Sequence, residues 1–327
     1  MRAGGGCGWR CCAVAAVLAL ALPAAAEGPD VEQAARLGVP AMRVFTDRDG
    51  LPQNSVEDIL IDRRGRLWIG TQDGAAFYNG RQWTQVRMPG VDSSQWIRCA
   101  IPARDGSLWF GRDQGGLCRY QDGGFTSYSV GDGLPPGSIF RILERRDGSL
   151  LAGTSQGVFV KDGERWRRME GPGGRQADPV YCMQESADGR TLWMGTQRGL
   201  ARVAEGRWTW YGEADGLPSA VVWSVLPAGT EADPEIWAGT GRGLARFRQG
   251  RWTPLGRAEG VPGNVISRIV EAHNVHGQRT VWLGTDEGLF WLEDGRWQRL
   301  TMRNGLPNQV VRSLLIIGGS GKAPTVF

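Results

Sequence analysis

The hydrophobic pattern of the chain is short and repetitive. A five-residue run with glycine in its fourth place recurs as Leu67-Trp68-Ile69-Gly70-Thr71, Leu108-Trp109-Phe110-Gly111-Arg112, Leu150-Leu151-Ala152-Gly153-Thr154, Leu192-Trp193-Met194-Gly195-Thr196, Ile236-Trp237-Ala238-Gly239-Thr240 and Val281-Trp282-Leu283-Gly284-Thr285. The second positions, Trp68, Trp109, Leu151, Trp193, Trp237 and Trp282, lie 41, 42, 42, 44 and 45 residues apart. Side chains alternate along a strand, so Trp68 and Gly70 share one face while Leu67, Ile69 and Thr71 share the other. Both faces are apolar, and a sheet with two apolar faces has to be sandwiched between neighbours. The six bulky residues are therefore expected in the core, each glycine making room for a bulky residue of the adjacent repeat, its tryptophan.

Three further signals keep phase with that run. Gly-Leu-Pro or a variant precedes it at Gly50-Leu51-Pro52, Gly133-Leu134-Pro135, Gly216-Leu217-Pro218, Gly260-Val261-Pro262 and Gly305-Leu306-Pro307. Glycine and proline so close together break regular structure and start a new strand. A second glycine follows the run at Gly74, Gly116, Gly157, Gly199, Gly243 and Gly288, which suits a hairpin turn with positive φ. Last comes a Gly-x-x-Trp or Gly-Arg-Trp, at Trp83, Trp166, Trp208, Trp252 and Trp297, with Phe125 in the second copy. Each repeat thus predicts four short strands: a after the Gly-Leu-Pro, b carrying the Trp-x-Gly-Thr, c after the hairpin glycine, and d from the Gly-Arg-Trp.

Four antiparallel strands in about 42 residues make one blade of a β-propeller. The expected fold is all-β, with blades at about 50–87, 90–130, 133–169, 171–212, 216–256 and 260–302 and a partial seventh at 305–317, within a propeller spanning 42–317. Met42-Arg43-Val44-Phe45-Thr46 has the position of a strand d without its own blade, as an N-terminal segment that completes the last blade would. Strands b and c of the seventh blade are expected to be missing, leaving a sevenfold ring cut short, its closure not decided by the sequence. The tail, 318–327, fits a truncation; Gly318-Gly319-Ser320-Gly321-Lys322-Ala323 fails as a phosphate loop, because Ile316 and Ala323 stand where glycine and Ser/Thr are required.

Composition agrees with this reading. Fifty glycines and fifteen tryptophans beside only 22% charged residues suit short strands and tight turns. Residues 1–26 differ from the rest: Arg2 and Arg10 flank a small polar start, Cys11 to Leu22 is apolar, and Ala24-Ala25-Ala26 offers a cleavage site. The segment reads as a secretory signal, since an apolar run of about 12 residues is too short to span a membrane; a short leader, 27–41, follows it. Without it the balance of basic over acidic residues falls from 38 against 34 to 36 against 34, because two arginines leave. The remaining arginines are spread through every repeat, so nucleic acid is not an expected partner.

The three later cysteines, Cys99, Cys118 and Cys182, are odd in number and lack CxxC spacing, which indicates neither a disulfide framework nor a zinc site. His273 and His276 lack further ligands and precede a turn at Gly277. No metal or cofactor is expected.

The pattern Gly-Leu-Pro-x-x-x-Val, then Asp-x-x-Gly-x-Leu-Trp-x-Gly-Thr-x-x-Gly-Leu, as it stands in Gly50 to Ala75, resembles the two-component regulator propeller repeat. The likeness covers residues 42 to about 317. Copies depart from it at Ala75, Arg112 and Leu151, and around Gly171-Pro172-Gly173-Gly174, where a proper Gly-Leu-Pro is absent. The resemblance implies the extracytoplasmic input domain of a bacterial receptor: periplasmic, with a membrane-anchored, dimeric parent whose output is a histidine kinase or diguanylate cyclase. It implies a ligand, a small molecule or glycan, and no catalysis by this chain.

A binding module of this kind relies on loops around the central axis. Asn54, Ser55, Ser138, Ser219, Asn264 and Asn308, just behind the Gly-Leu-Pro turns, are the polar candidates, each of which could equally serve a local turn. The competing readings are a secreted propeller enzyme of lyase or glycosidase type and a protein-docking propeller. The first needs convergent acids, whereas Asp105 and Asp147 repeat with the blade as turn formers do; the second cannot be separated by sequence.

Overall fold

The computed structural model describes residues 17–21, 41–89, 95–171, 178–229, 233–274, 276–317 and 325–327. Its strands form seven four-stranded antiparallel sheets. In the first repeat the strands are Val56–Ile61 (a), Leu67–Thr71 (b), Gly74–Tyr78 (c) and Trp83–Val86 (d), hydrogen-bonded in that order. The same order recurs in the next five repeats, whose a strands are Ile97–Pro102, Ile139–Glu144, Val180–Glu185, Val222–Gly229 and Ile266–His273. The irregular start of the fourth repeat at Pro172-Gly173-Gly174 lies outside the described residues.

The seventh sheet corrects the expectation that its strands b and c are missing. Its order runs Ile316–Ile317, Thr325–Val326, Val17–Ala21 and Ala41–Phe45. The segment expected as an unattached strand d is indeed its outer strand, but the positions of strands b and c are filled, by Thr325–Val326 and by part of the stretch expected as a secretory signal. Val17 to Ala21 pairs residue by residue with Phe45 to Ala41, so the backbone groups of the outer strand find partners. Ser313 Oγ then donates to Asp58 Oδ1 at 2.9 Å, joining the last blade to the first.

The core lies between blades. Seven clusters of buried apolar residues each span two successive sheets, as Leu60, Trp68 and Ala75 of blade 1 do with Ile97, Leu108 and Phe110 of blade 2. Trp68, Trp109, Leu151, Trp193, Trp237 and Trp282 are all buried. The partner of the strand b glycine is not a tryptophan, however. A Cβ on Gly70 would meet Ile97 Cγ2 at 2.5 Å; Gly111, Gly153, Gly195, Gly239 and Gly284 likewise face Ile139, Val180, Val222, Ile266 and Val311. The glycine receives the β-branched residue that opens strand a of the next blade, while the indole packs farther out, as Trp68 does on Phe110 at 5.8 Å.

The phase-locked motifs are turn devices. The threonine that ends strand b donates from Oγ1 to the carbonyl of the hairpin glycine, at 2.8 Å for Thr71 and Gly74 and at 2.7 Å for Thr285 and Gly288. Arg112, which replaces it in blade 2, is buried, and its Nη1 reaches Pro89 O at 3.4 Å. Ahead of Gly-Leu-Pro a single 3₁₀ turn ends at a glycine in the left-handed region, Gly50 at φ 106°. Asp49 accepts from Thr46 N there at 2.7 Å, and Leu51 is buried behind it. In the a–b turns Asp105 Oδ1 accepts from Ser107 N at 2.9 Å and Asp147 Oδ1 from Ser149 N at 2.8 Å.

Candidate functional site

The six polar candidates stand at the entry to the inner strands, held by turns and neighbouring loops. Asn54 Oδ1 accepts from Asp47 N at 2.7 Å, Ser219 Oγ from Val221 N at 3.2 Å, and Asn308 Oδ1 from Val310 N at 2.9 Å. Ser55 is buried and donates from its backbone to Gln53. Ser138 Oγ donates to Asp113 Oδ1 at 2.5 Å, and Asn264 Nδ2 to Glu287 Oε1 at 2.6 Å.

Side chains converge a little farther along strand a, and a backbone irregularity places them there. In all six complete blades the pairing of a with b slips by one residue after the first pair. The extra residues are Glu57, Arg98, Phe140, Tyr181, Trp223 and Ser267. A bulge of this kind frees one residue from the ladder and re-aims its side chain. Arg312 follows Val311 as these residues follow their own β-branched neighbours, and so takes the equivalent place in the seventh blade.

On the face bearing the b–c turns, these residues form a rim of two unlike halves. Phe140 and Tyr181 lie 5.1 Å apart between ring centroids, and Tyr181 and Trp223 lie 4.4 Å apart. The Arg98 guanidinium extends the arc, 5.5 Å from the Phe140 ring and 4.1 Å from that of Trp96, while its Nε holds Asp113 at 2.7 Å. Trp223 is 37% exposed, and burial pushes the Tyr181 hydroxyl above its ordinary pKa. Across the rim Arg312 pairs with Glu57 at 3.7 Å, and Gln72 Nε2 donates to Glu57 Oε1 at 3.0 Å.

One residue deeper the chain supplies Asp58, Cys99, Arg141, Cys182, Ser224, Arg268 and Ser313, one per blade. Asp58 identifies this level as the axis, because it touches four other blades at once. Its Oδ2 accepts from Ala100 N at 3.0 Å and its Oδ1 from Ser313 Oγ at 2.9 Å. The Arg141 and Arg268 guanidinium groups approach it to 3.5 and 4.0 Å. Burial pushes the Cys99 and Cys182 thiols up to about 12, so both are neutral. Burial, then the charge of Arg141, lowers Arg268 to about 10, which leaves it charged at neutral pH.

Among the described residues no group of three His, Cys, Asp or Glu is placed to hold a metal ion. His273 ends its strand a and is exposed, as is His276. No helix among the described residues is long and apolar enough to cross a membrane.

Radial four-stranded blades, a core lodged between them and inner strands lining a shared axis define a β-propeller. The first blade carries the two-component regulator propeller repeat, whose family model matches residues 50–73. A 50-residue stretch is 44% identical to histidine kinase P4 of Formosa agariphila, covering 15% of this chain and 4% of that one. The extracellular domain of a putative hybrid two-component system from B. thetaiotaomicron superposes with a TM-score of 0.66 at 17% identity, over 87% of this chain and 41% of the other. Virginiamycin B lyase from Staphylococcus aureus, as a catalytically inactive histidine-to-alanine variant with quinupristin, gives 0.64 at 13% identity, over 83% and 94%. At such identities the structural likenesses establish the fold alone. The chain spans less than half the length of the kinase and of the two-component receptor domain.

Proposed function

We propose that this ring is the sensor domain of a bacterial signal-transduction receptor, taking up a small molecule at the rim of its axis and passing the event to a histidine kinase or diguanylate cyclase output. The observation that carries the reading is the rim itself: bulges present an aromatic arc and a charged arc on one face, around side chains that reach across blades. Rings and ion pairs so placed give a ligand both stacking area and orientation. The family repeat in blade 1 and the likeness to a receptor's extracellular domain support a sensing role. Asp105 and Asp147, acids that a lyase or glycosidase reading would consider, bond within their own turns.

Thermal-shift screening of the chain against small metabolites and glycans tests the reading, with Tyr181→Ala and Trp223→Ala as rim variants. Ligands that raise the melting temperature of the parent chain and leave the rim variants unmoved are expected. Failure of every compound, or equal shifts in the variants, would remove the rim as a sensor site.

A periplasmic location belongs to the same proposal and rests on residues 1–26 acting as an export signal. Cleavage after Ala26 would take Val17–Ala21 out of the seventh sheet. N-terminal sequencing of the secreted chain decides: a start near Glu27 supports export, whereas an intact Met1 assigns that strand to the ring.

A further inference from the structure

The charges on the axis do not balance. Arg141 and Arg268 face one another across the inner strands, and among the described residues Asp58 is the one carboxylate within 4.0 Å of either. The rim adds no correction, because Arg98 is matched by Asp113 and Arg312 by Glu57. Nor do the other inner residues, which are thiols and hydroxyls. Two guanidinium groups and one carboxylate leave a net charge of one, positive, inside the ring.

Hydrogen bonding shows the same imbalance. The Asp58 carboxylate already accepts from Ile59 N, Ala100 N and Ser313 Oγ. Among the described residues neither the Arg141 nor the Arg268 guanidinium donates a hydrogen bond to a protein group within 3.5 Å in donor geometry, although each carries five N–H donors. Their side chains are mostly buried but keep 21% and 26% of their surface exposed. Two arginines held in repulsion with unclaimed donors are a poor structural device and a good anion receptor.

We infer that the axial site takes a small aromatic carboxylate, its carboxylate between Arg141 and Arg268 and its ring against the Phe140, Tyr181 and Trp223 arc. The inference rests on the sensor reading above and narrows its ligand class. The raised thiol pKa values of Cys99 and Cys182 agree with it, since neither thiol supplies a competing negative charge. The stacking arc adjoins the same site, for the bulge between Ile139 and Arg141 takes Phe140 out of the strand's alternation and leaves it beside Arg141.

Titration calorimetry of the intact chain with 2-naphthoate, 2-naphthamide and acetate tests the assignment. Naphthoate is expected to bind one to one, at least about tenfold tighter than the neutral amide, which lacks the charge, and than acetate, which lacks the ring. Arg141→Gln and Arg268→Gln should each erase the preference for naphthoate over naphthamide. A second readout guards against variants that merely misfold: Arg268→Gln relieves the repulsion with Arg141 and should melt, without ligand, at or above the temperature of the parent chain, whereas Asp58→Asn should melt lower. Equal binding of naphthoate and naphthamide, or an Arg268→Gln variant that melts well below the parent, overturns the inference. Neutral compounds bound at the rim would leave the sensor reading standing without it.

Discussion

Gly70 of blade 1 meets Ile97 of blade 2 so closely that a Cβ on the glycine would lie 2.5 Å from Ile97 Cγ2 and 2.8 Å from its Cβ. Gly70→Ala should therefore strain the packing between the two blades, at a cost of about 1–3 kcal/mol. Ile97 is fully buried, so Ile97→Ala should cost about 2–5 kcal/mol through the cavity it leaves. The double variant relieves the nearer contact, and its cost should fall short of the sum by about 1 kcal/mol. Denaturant titration of the four proteins measures this; strict additivity would mean that the two residues do not share the space.

Glu235 ties blade 5 to blade 6. It accepts from Arg246 Nε at 2.6 Å within its own blade and pairs with Arg279 Nη1 of the next at 2.6 Å, and it is 6% exposed. Burial would raise its pKa, but the bonds and charges of Arg279 and Arg246 outweigh that and hold it low. Glu235→Ala leaves two partly buried arginines facing each other and should cost about 3 kcal/mol, the loss expected when one partner of a buried pair is removed. Replacing Arg248, whose contact with Asp233 spans 3.5 Å at an exposed edge, should change the melting curve little.

Asp62 gives the first a–b turn a dependence on acid. Burial acts to raise its pKa, and hydrogen bonds from Trp68 Nε1 at 2.9 Å and Arg66 N at 2.9 Å, with the Arg66 charge, bring it below the ordinary value. A carboxylate held low in the folded state adds stability above its unfolded pKa of about 3.9 and loses it as pH falls through the lower folded value. Asp62→Asn should thus destabilise the chain at pH 7 by about 1.5–3 kcal/mol, with the gap closing below about pH 4. Acid melts of the two proteins that stay parallel down to pH 2 would contradict this.

Cys99 and Cys182 lie buried on inner strands without a disulfide. With thiols raised to about 12, neither should react with iodoacetamide in the native protein at pH 8, and both should react once it is denatured. Peptide mapping after a timed pulse checks this. Native labelling at the rate of a free thiol would show that the inner strands open locally.

The blades were legible in the chain because packing and turn chemistry recur from copy to copy: glycine in strand b of all six, threonine beside it in all but the second, and in most a glycine that closes the 3₁₀ turn. The partner of the strand b glycine was misjudged because tryptophan is the larger residue. The column that fills the gap, Ile97, Ile139, Val180, Val222, Ile266 and Val311, is just as periodic but less conspicuous. Strands b and c of the seventh sheet were not foreseen, since they come from segments that carry no repeat motif.

The rim was hidden for the opposite reason. Glu57, Arg98, Phe140, Tyr181, Trp223 and Ser267 share a place but no chemistry, and a motif search passes over such positions. A trace was present all the same: each follows a β-branched residue at the head of strand a, so aligning the copies exposes one column that varies in size, charge and polarity between uniform neighbours.

That single slipped residue in each inner strand separates two kinds of information in one short stretch. The residues on either side specify how blades stack and tolerate little change. The slipped residue is outside the ladder, so exchanging it rewrites one segment of the rim while the scaffold stays as it was. A chain built this way can be retuned one blade at a time, by independent letters in a circular code, to recognise a different solute with the same fold.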